Sequence, residues 1–327
     1  MSGLCGWIEP PGPDGGGGEA LSNMASGLLA LEESEATAAA AGECALHLLA
    51  RRGDGYVSAD DDFLVAIAGR PYWTSPDSAA TARELGHAEA LRQAYLERGV
   101  DLFDRLHGGF ALALIDRRER TAILAIDRVG VETMCFAQGA GGLFVFGSTT
   151  ASVRRHPRIS ATIPMQAIYN YLCSWIIHAP ATIYREQTKL RPGQYALYRG
   201  GRVETRFYWQ MPYQESSEED PAGLSRELLS VLRTATTRTI EGSDPSRLGA
   251  FLSGGLDSST TVGLLTRING AAKAFTIGFG IEKFDESPYA RIAARHFGAE
   301  HYQHVVTPGD VADLIPRLAH YFDEPFG

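Results

Sequence analysis

The apolar positions of this chain follow two regimes. In the first half, residues 63–67 (Phe-Leu-Val-Ala-Ile), 110–115, 122–126 and 143–146 form short runs rich in aromatic and branched side chains. Each is closed by glycine or charged residues, which predicts strands. The spacing predicts a helix over 87–98, and the alanine-rich stretch 21–49 also has helical periodicity. Residues 165–175 predict another helix, and 194–198 with 203–208 a hairpin about Arg199-Gly200-Gly201. The Pro- and Gly-rich segment 10–18 reads as a loop. After the acidic stretch 215–221 (Glu-Ser-Ser-Glu-Glu-Asp-Pro) strands and helices alternate. Helices are predicted over 224–240, from Asp257 onward, over 288–297 and over 308–322, with strands over 248–252, 274–279 and 301–306. That alternation predicts a parallel sheet with helices on both faces. Two domains follow, 1–210 and 223–327, joined by a linker over 211–222.

The chemistry concentrates in the second regime, at Phe251-Leu252-Ser253-Gly254-Gly255-Leu256-Asp257-Ser258-Ser259. A short apolar strand, expected to be buried, breaks on two glycines and a helix begins at once. Backbone N–H groups in such a turn are free to face phosphate oxygens, and the helix dipole adds about half a positive charge there. Serine hydroxyls add donors, and Asp257 is suited to hold Mg2+ between phosphates. The Gly-Lys-Ser/Thr ending of a Walker A loop is absent. The Ser-Gly-Gly-Leu-Asp-Ser-Ser order resembles the pyrophosphate loop of the ATP pyrophosphatases, which split ATP into AMP and pyrophosphate while adenylating an oxygen nucleophile.

Composition narrows the partners. The chain has 327 residues and a formal charge of −9, which argues against a nucleic-acid partner, since phosphate backbones need a concentrated basic face. No apolar run reaches the ~20 residues that span a bilayer, so no membrane partner is expected. The N-terminus lacks a signal-peptide pattern, and a cytoplasmic protein is expected. Cys5, Cys44, Cys135 and Cys173 have neither disulfide-framework nor zinc-site spacing.

Both halves together resemble the glutamine-dependent (class B type) asparagine synthetase family. The N-terminal motifs are Leu4-Cys5-Gly6-Trp7-Ile8, Arg52-Gly53-Asp54, Leu106-His107-Gly108-Gly109-Phe110-Ala111-Leu112-Ala113, Asp127-Arg128-Val129-Gly130, Phe146-Gly147-Ser148 and Lys189-Leu190-Arg191-Pro192-Gly193. The C-terminal ones are the serine-glycine loop, Phe275-Thr276-Ile277-Gly278-Phe279, Phe284-Asp285-Glu286, Gly298-Ala299-Glu300-His301 and Asp323-Glu324-Pro325-Phe326. The resemblance implies an α+β glutaminase domain, the αββα sandwich of the N-terminal-nucleophile hydrolases. An α/β parallel-sheet domain of the ATP pyrophosphatase (adenine nucleotide α-hydrolase-like) type follows. It also implies ATP and Mg2+ as cofactors, aspartate or another carboxylate with glutamine or ammonia as substrates, and pairing into a homodimer.

Residue by residue, the resemblance makes Cys5 the glutaminase nucleophile and puts Arg52, Gly69 and His87 at glutamine-binding positions. It assigns Phe251 through Ser259, with Ile277 and Gly278, to ATP. Asp257 and Asp323 become Mg2+ ligands. Glu324, beside a helix-stopping proline, is a candidate for substrate contact and catalysis.

The sequence also departs from the family. The glutaminase thiol must belong to residue one of the mature chain, where the free α-amine acts as base; here Met1-Ser2-Gly3-Leu4 precede Cys5. The family's Asn-Gly-Glu-Ile-Tyr-Asn reads Ala68-Gly69-Arg70-Pro71-Tyr72-Trp73, and its glutamine-binding Asp reads His87. Losing an oxyanion donor typically lowers rate about 10²–10³-fold. The glutaminase domain is therefore expected to be degenerate, with Cys5 packed as a small apolar thiol. Gly327 precedes the family's second phosphate motif and pyrophosphate-contacting lysine, so the synthetase portion is expected to be incomplete. The leading expectation is AMP-forming adenylation of a carboxylate, nominally aspartate, followed by amide formation. The rivals are a related cyclase using the substrate's own amine, of the β-lactam synthetase or lasso-peptide type, and a shortened, non-catalytic binding chain.

Overall fold

In a computed structural model of the chain, residues 3–9, 17–28, 34–213 and 220–326 are described. Residues 10–16 of the expected loop and 214–219 of the expected linker lie outside them, while Gly17, Gly18, Pro221 and Ala222 open helices. The chain divides into two compact units, one made of the residues up to Pro212 together with the C-terminal stretch from Ala319, the other Tyr213–Leu318.

The first unit holds two six-stranded sheets, antiparallel in every pair. In chain order the strands are β1 (Gly3–Ile8), β2 (Ser34–Ala41), β3 (Cys44–Arg51), β4 (Gly55–Ala59), β5 (Phe63–Trp73), β6 (Leu106–Asp116), β7 (Thr121–Ile126), β8 (Cys135–Gln138), β9 (Phe144–Gly147), β10 (Gln187–Lys189), β11 (Gln194–Arg199) and β12 (Arg202–Phe207). One sheet runs β10-β8-β9-β1-β3-β2 and the other β12-β11-β7-β6-β5-β4.

Helices α1 (Gly17–Ala25), α2 (Pro76–Leu85), α3 (His87–Arg98), α4 (Thr150–Arg154) and α5 (Met165–Ser174) belong to the same unit. β6 explains the layering. Its Ala111, Ala113 and Ile115 enter the core between the sheets, and its Phe110, Leu112 and Leu114 enter the core beneath α3. Alternate side chains on one strand thus fill two cores, which is why the segment reads as an unbroken apolar run. A third core lies between the β1 sheet and α1 with α4. Helix, sheet, sheet, helix is the expected αββα order.

Residues 34–51 correct the helical expectation for 21–49. Among the described residues of that stretch only α1 is helical; Ser34–Ala41 and Cys44–Arg51 pair as a hairpin, with Ala39 opposite Leu46. Alanine's helix preference, a few tenths of a kcal/mol per residue over most others, is outweighed by a full ladder of inter-strand hydrogen bonds.

The second unit is a parallel sheet of β13 (Gly249–Phe251), β14 (Lys273–Phe279) and β15 (Glu300–Val306), with α6 (Pro221–Ile240), α7 (Leu256–Asn269), α8 (Ser287–Phe297) and α9 (Pro308–Leu314). Leu252, Val262, Ala274, Ala290 and Ala294 form its core between the sheet and α7 and α8. Two expectations change. β13 is an edge strand whose Phe251 is exposed, and on the sheet face away from this core Phe275, Ile277 and Phe279 stay exposed among the described residues. The helix expected over 308–322 is broken at Pro316, which cannot continue the backbone ladder, so a 3-10 turn spans Ile315–Arg317.

Candidate functional site

The serine-glycine loop lies where the sequence pattern puts it. β13 ends at Phe251, Leu252 is buried, and α7 starts at Leu256 after Ser253-Gly254-Gly255. Gly255 is the N-cap and offers no side chain, so no capping bond uses the first-turn N–H groups of Leu256, Asp257 and Ser258. The first intrahelical bond is Ser259 N–H to the Gly255 carbonyl, 3.1 Å.

Two serines hold the turn. The Ser253 and Ser258 hydroxyls are 3.0 Å apart, the Ser253 N–H donates to Ser258 Oγ at 3.2 Å, and the Gly255 N–H to Ser253 Oγ at 3.3 Å. Gly254 has φ +87°, and a Cβ there would sit 2.5 Å from the backbone of Tyr289 and Ala290 in the first turn of α8. Only glycine lets the loop approach that second helix N-terminus.

Asp257 stands exposed in the first turn of α7, and its carboxylate has no protein partner among the described residues. It fits a Mg2+ ligand in that respect. Phe251 and Leu256 are exposed beside the turn, Leu252 is core, and Ile277 and Gly278 occupy the carboxyl end of the adjacent β14. A Cβ at Gly278 would sit 2.7 Å from Ser287 Oγ and 3.2 Å from Asp285 Oδ1. Asp285 accepts from the Ser287 hydroxyl at 2.5 Å and its N–H at 3.2 Å, and those bonds hold its carboxyl below the usual range. The sequence leaves Asp285 open between a substrate or magnesium contact and a helix-start role beside Ser287 and Pro288; the brace lies at the start of α8.

Among the described residues the glutaminase-type residues make no hydrogen bond or ring contact with one another. Cys5 sits inside β1, between β3 and β9, fully buried with Trp7, Leu21, Met24 and Val153 on the α1–α4 side of its sheet. Desolvation pushes its thiol up to about 12, so it is protonated near neutral pH. His47 lies directly across from it on β3, yet the two side chains share no hydrogen bond. Burial lowers the His47 pKa too.

Gly69 and His87 belong to the other sheet and the helix over it. Gly69, at φ +104°, donates its N–H to the Asp54 carbonyl at 2.8 Å, and Arg70 Nε pairs with Asp54 Oδ1 at 2.5 Å. The His87 ring packs 4.6 Å from the Tyr56 ring, and Arg52 is an exposed turn residue.

Asp323 and Glu324 belong to the first unit, whereas the loop belongs to the second. The Asp323 carboxylate accepts the backbone N–H of Thr150 and, at 2.9 Å, that of Ala151 at the start of α4. Glu324 accepts the Ile183 N–H at 2.9 Å and pairs with Lys189 Nζ. Each oxygen of both carboxylates already has a partner in the first unit, whereas the Asp257 carboxylate is not engaged among the described residues. Among the described residues no cluster of three or more His, Cys, Asp or Glu side chains is arranged to hold a metal, and no helix is long and apolar enough to cross a membrane.

Sequence comparison matches a different domain model to each half of the chain, although the second match also takes in residues 319–327, which the structure places with the first unit. The asparagine synthase family model matches residues 227–327, and the glutamine amidotransferase domain model matches residues 76–209. Over these two segments the chain is similar to asparagine synthases and to glutamine amidotransferases respectively. Among its relatives, a putative glutamine-hydrolysing asparagine synthetase of Methanocaldococcus jannaschii is 29% identical over 73% of this chain and 47% of the relative. A putative asparagine synthetase of Mycobacterium bovis is 28% identical over 73% of this chain and 37% of the relative. Asparagine synthetase 1 of Bacillus subtilis is 23% identical over 72% and 37%. The chain spans about half or less of the length of these relatives.

Proposed function

We propose that the second unit is the nucleotide-binding part of an ATP-dependent, AMP-forming amide ligase. The carboxylate it activates is nominally aspartate, and the nitrogen comes from free ammonia rather than from glutamine hydrolysed at Cys5. The uncapped first turn of α7 behind Ser253-Gly254-Gly255 carries the nucleotide half of this reading. Three free N–H groups, a helix dipole and two serines suit a leaving pyrophosphate, whose negative charge grows as the α–β phosphate bond breaks. Asp257 would hold Mg2+ against the same oxygens, and the ion would neutralise that charge. Coupling to AMP release makes amide formation favourable from a carboxylate, which by itself has no good leaving group.

The donor assignment rests on the first unit. A thiol inside a strand has a peptide nitrogen, not a free amine, beside it. At a pKa of about 12, roughly one thiol in 10⁵ is ionised at pH 7. Of the three positions expected to hold glutamine, Gly69 already gives its N–H to the Asp54 carbonyl. A soluble, non-membrane enzyme with small-molecule substrates is in keeping with the family.

ATP–pyrophosphate exchange tests the reading, with aspartate as carboxylate and ammonium or glutamine supplied in parallel. Aspartate-dependent exchange, with amide formed from ammonium and not from glutamine, is expected. Exchange absent with aspartate would overturn the acceptor; amide formed equally well from glutamine would overturn the donor.

A further inference from the structure

A cavity of about 440 Å³ lies between α6 and α7, away from the loop. On α6, Arg226, Ser230 and Arg233 fall at i, i+4 and i+7 and therefore share a face, with Leu229 beside them. Across the groove α7 presents Leu264, Arg267 and Ile268, at i, i+3 and i+4. Three guanidiniums thus ring a floor of aliphatic side chains in a chain whose net charge is −9. Arg226 has one weak partner, Asp220 at 3.7 Å. The guanidiniums of Arg233 and Arg267 have no protein partner among the described residues. Arg267 alone would be explained as a cation placed at the negative end of the α7 dipole. Arg226 and Arg233 have no such reason, since they project from the body of α6.

We propose that this groove binds a small anion carrying an apolar body, such as an alkyl phosphate or a medium-chain carboxylate. The planar forks of Arg233 and Arg267 would take the head group from opposite walls with charge-assisted hydrogen bonds. Leu229, Leu264 and Ile268 would cover the tail. The volume is in the range of small-ligand sites. By helix rise the groove lies roughly 12–18 Å along α7 from the nucleotide loop, so its occupant does not overlap the phosphates of ATP.

Calorimetric titration with octyl phosphate, below its micellar concentration and with ATP saturating, tests the assignment, with inorganic phosphate and octyl glucoside as controls. Octyl phosphate is expected to bind at least about ten-fold more tightly than either control, since both head group and tail contribute. Arg233→Gln with Arg267→Gln removes the charges, and Ser230→Trp fills the groove without altering charge. Each variant is expected to weaken octyl phosphate by about ten-fold or more with the thermal midpoint unmoved. Equal binding of all three probes, loss of binding when ATP is added, or unchanged binding in both variants would overturn the proposal.

Discussion

Asp323 provides a sharp test, because its expected role and its place in the fold lead to different results. Helix α4 has three first-turn N–H groups to satisfy. Thr149 Oγ1 accepts that of Ser152 at 3.1 Å, and the Asp323 carboxylate accepts those of Thr150 and Ala151. Asp323→Asn keeps the shape but removes the charge and turns one acceptor into a donor, so one N–H loses its partner. Thr150 is buried, where a lost partner is not replaced by water. Loss of a capping acceptor costs about 1 kcal/mol, and loss of the negative charge at a helix N-terminus about 0.3–1 kcal/mol more. An unsatisfied buried N–H raises the total to about 2–3 kcal/mol. For a unit of this size that corresponds to a fall in Tm of roughly 4–12 °C. Thermal unfolding followed by circular dichroism reads the shift, and amide hydrogen exchange reads faster opening at Thr150 and Ala151. A magnesium ligand would behave otherwise. If Tm and exchange are unchanged while Mg2+-dependent ATP binding is lost, the capping role is refuted and the metal role restored.

Other consequences are as direct. Gly254→Ala forces a Cβ into the α8 backbone at a positive φ, and is expected to weaken ATP binding about ten-fold or more while lowering stability by 1–3 kcal/mol, read by calorimetry and thermal melts. Cys5, Cys44 and Cys135 are buried and Cys173 is exposed; titration with a thiol-reactive disulfide is expected to give one fast equivalent in the native protein and four after unfolding, and a second fast equivalent assigned to Cys5 would contradict its packing. Burial raises the Cys5 thiol from 9.0 to about 12, so the unfolded chain loses this proton first. Stability is therefore expected to fall as pH rises above 9, by about 1.4 kcal/mol per pH unit from Cys5 alone, measured by denaturant titration at several pH values. Glu132 is held up to about 7 by desolvation and by Asp127; its stabilising effect is present below pH 4.5 and is lost as pH rises through 7, so Glu132→Gln is expected to flatten the stability profile across that interval.

What the sequence by itself determined is local. The strand–glycine–helix turn at 251–259 needs only neighbours within one turn to form, and the β6 run announces a strand buried on both faces by its unbroken apolar side chains. The hairpin over Gln194–Arg199 and Arg202–Phe207 is legible for the same reason, since a glycine turn fixes its register. Pairing between distant segments is a different matter. The alanines of β2 become strand only because β3 offers them a ladder, and no propensity carries that information. Cys5 is buried because β3, β9, α1 and α4 enclose it, so the raised pKa of its thiol is a property of the packed layer rather than of the Cys-Gly motif. Asp323 finds its partners 172 and 173 residues away in the chain, and Arg226, Arg233 and Arg267 come together only when α6 packs on α7. Sequence fixes which groups are charged; the fold decides which of them face one another, because Coulomb and hydrogen-bond energies depend on separations of a few ångströms that only tertiary packing sets.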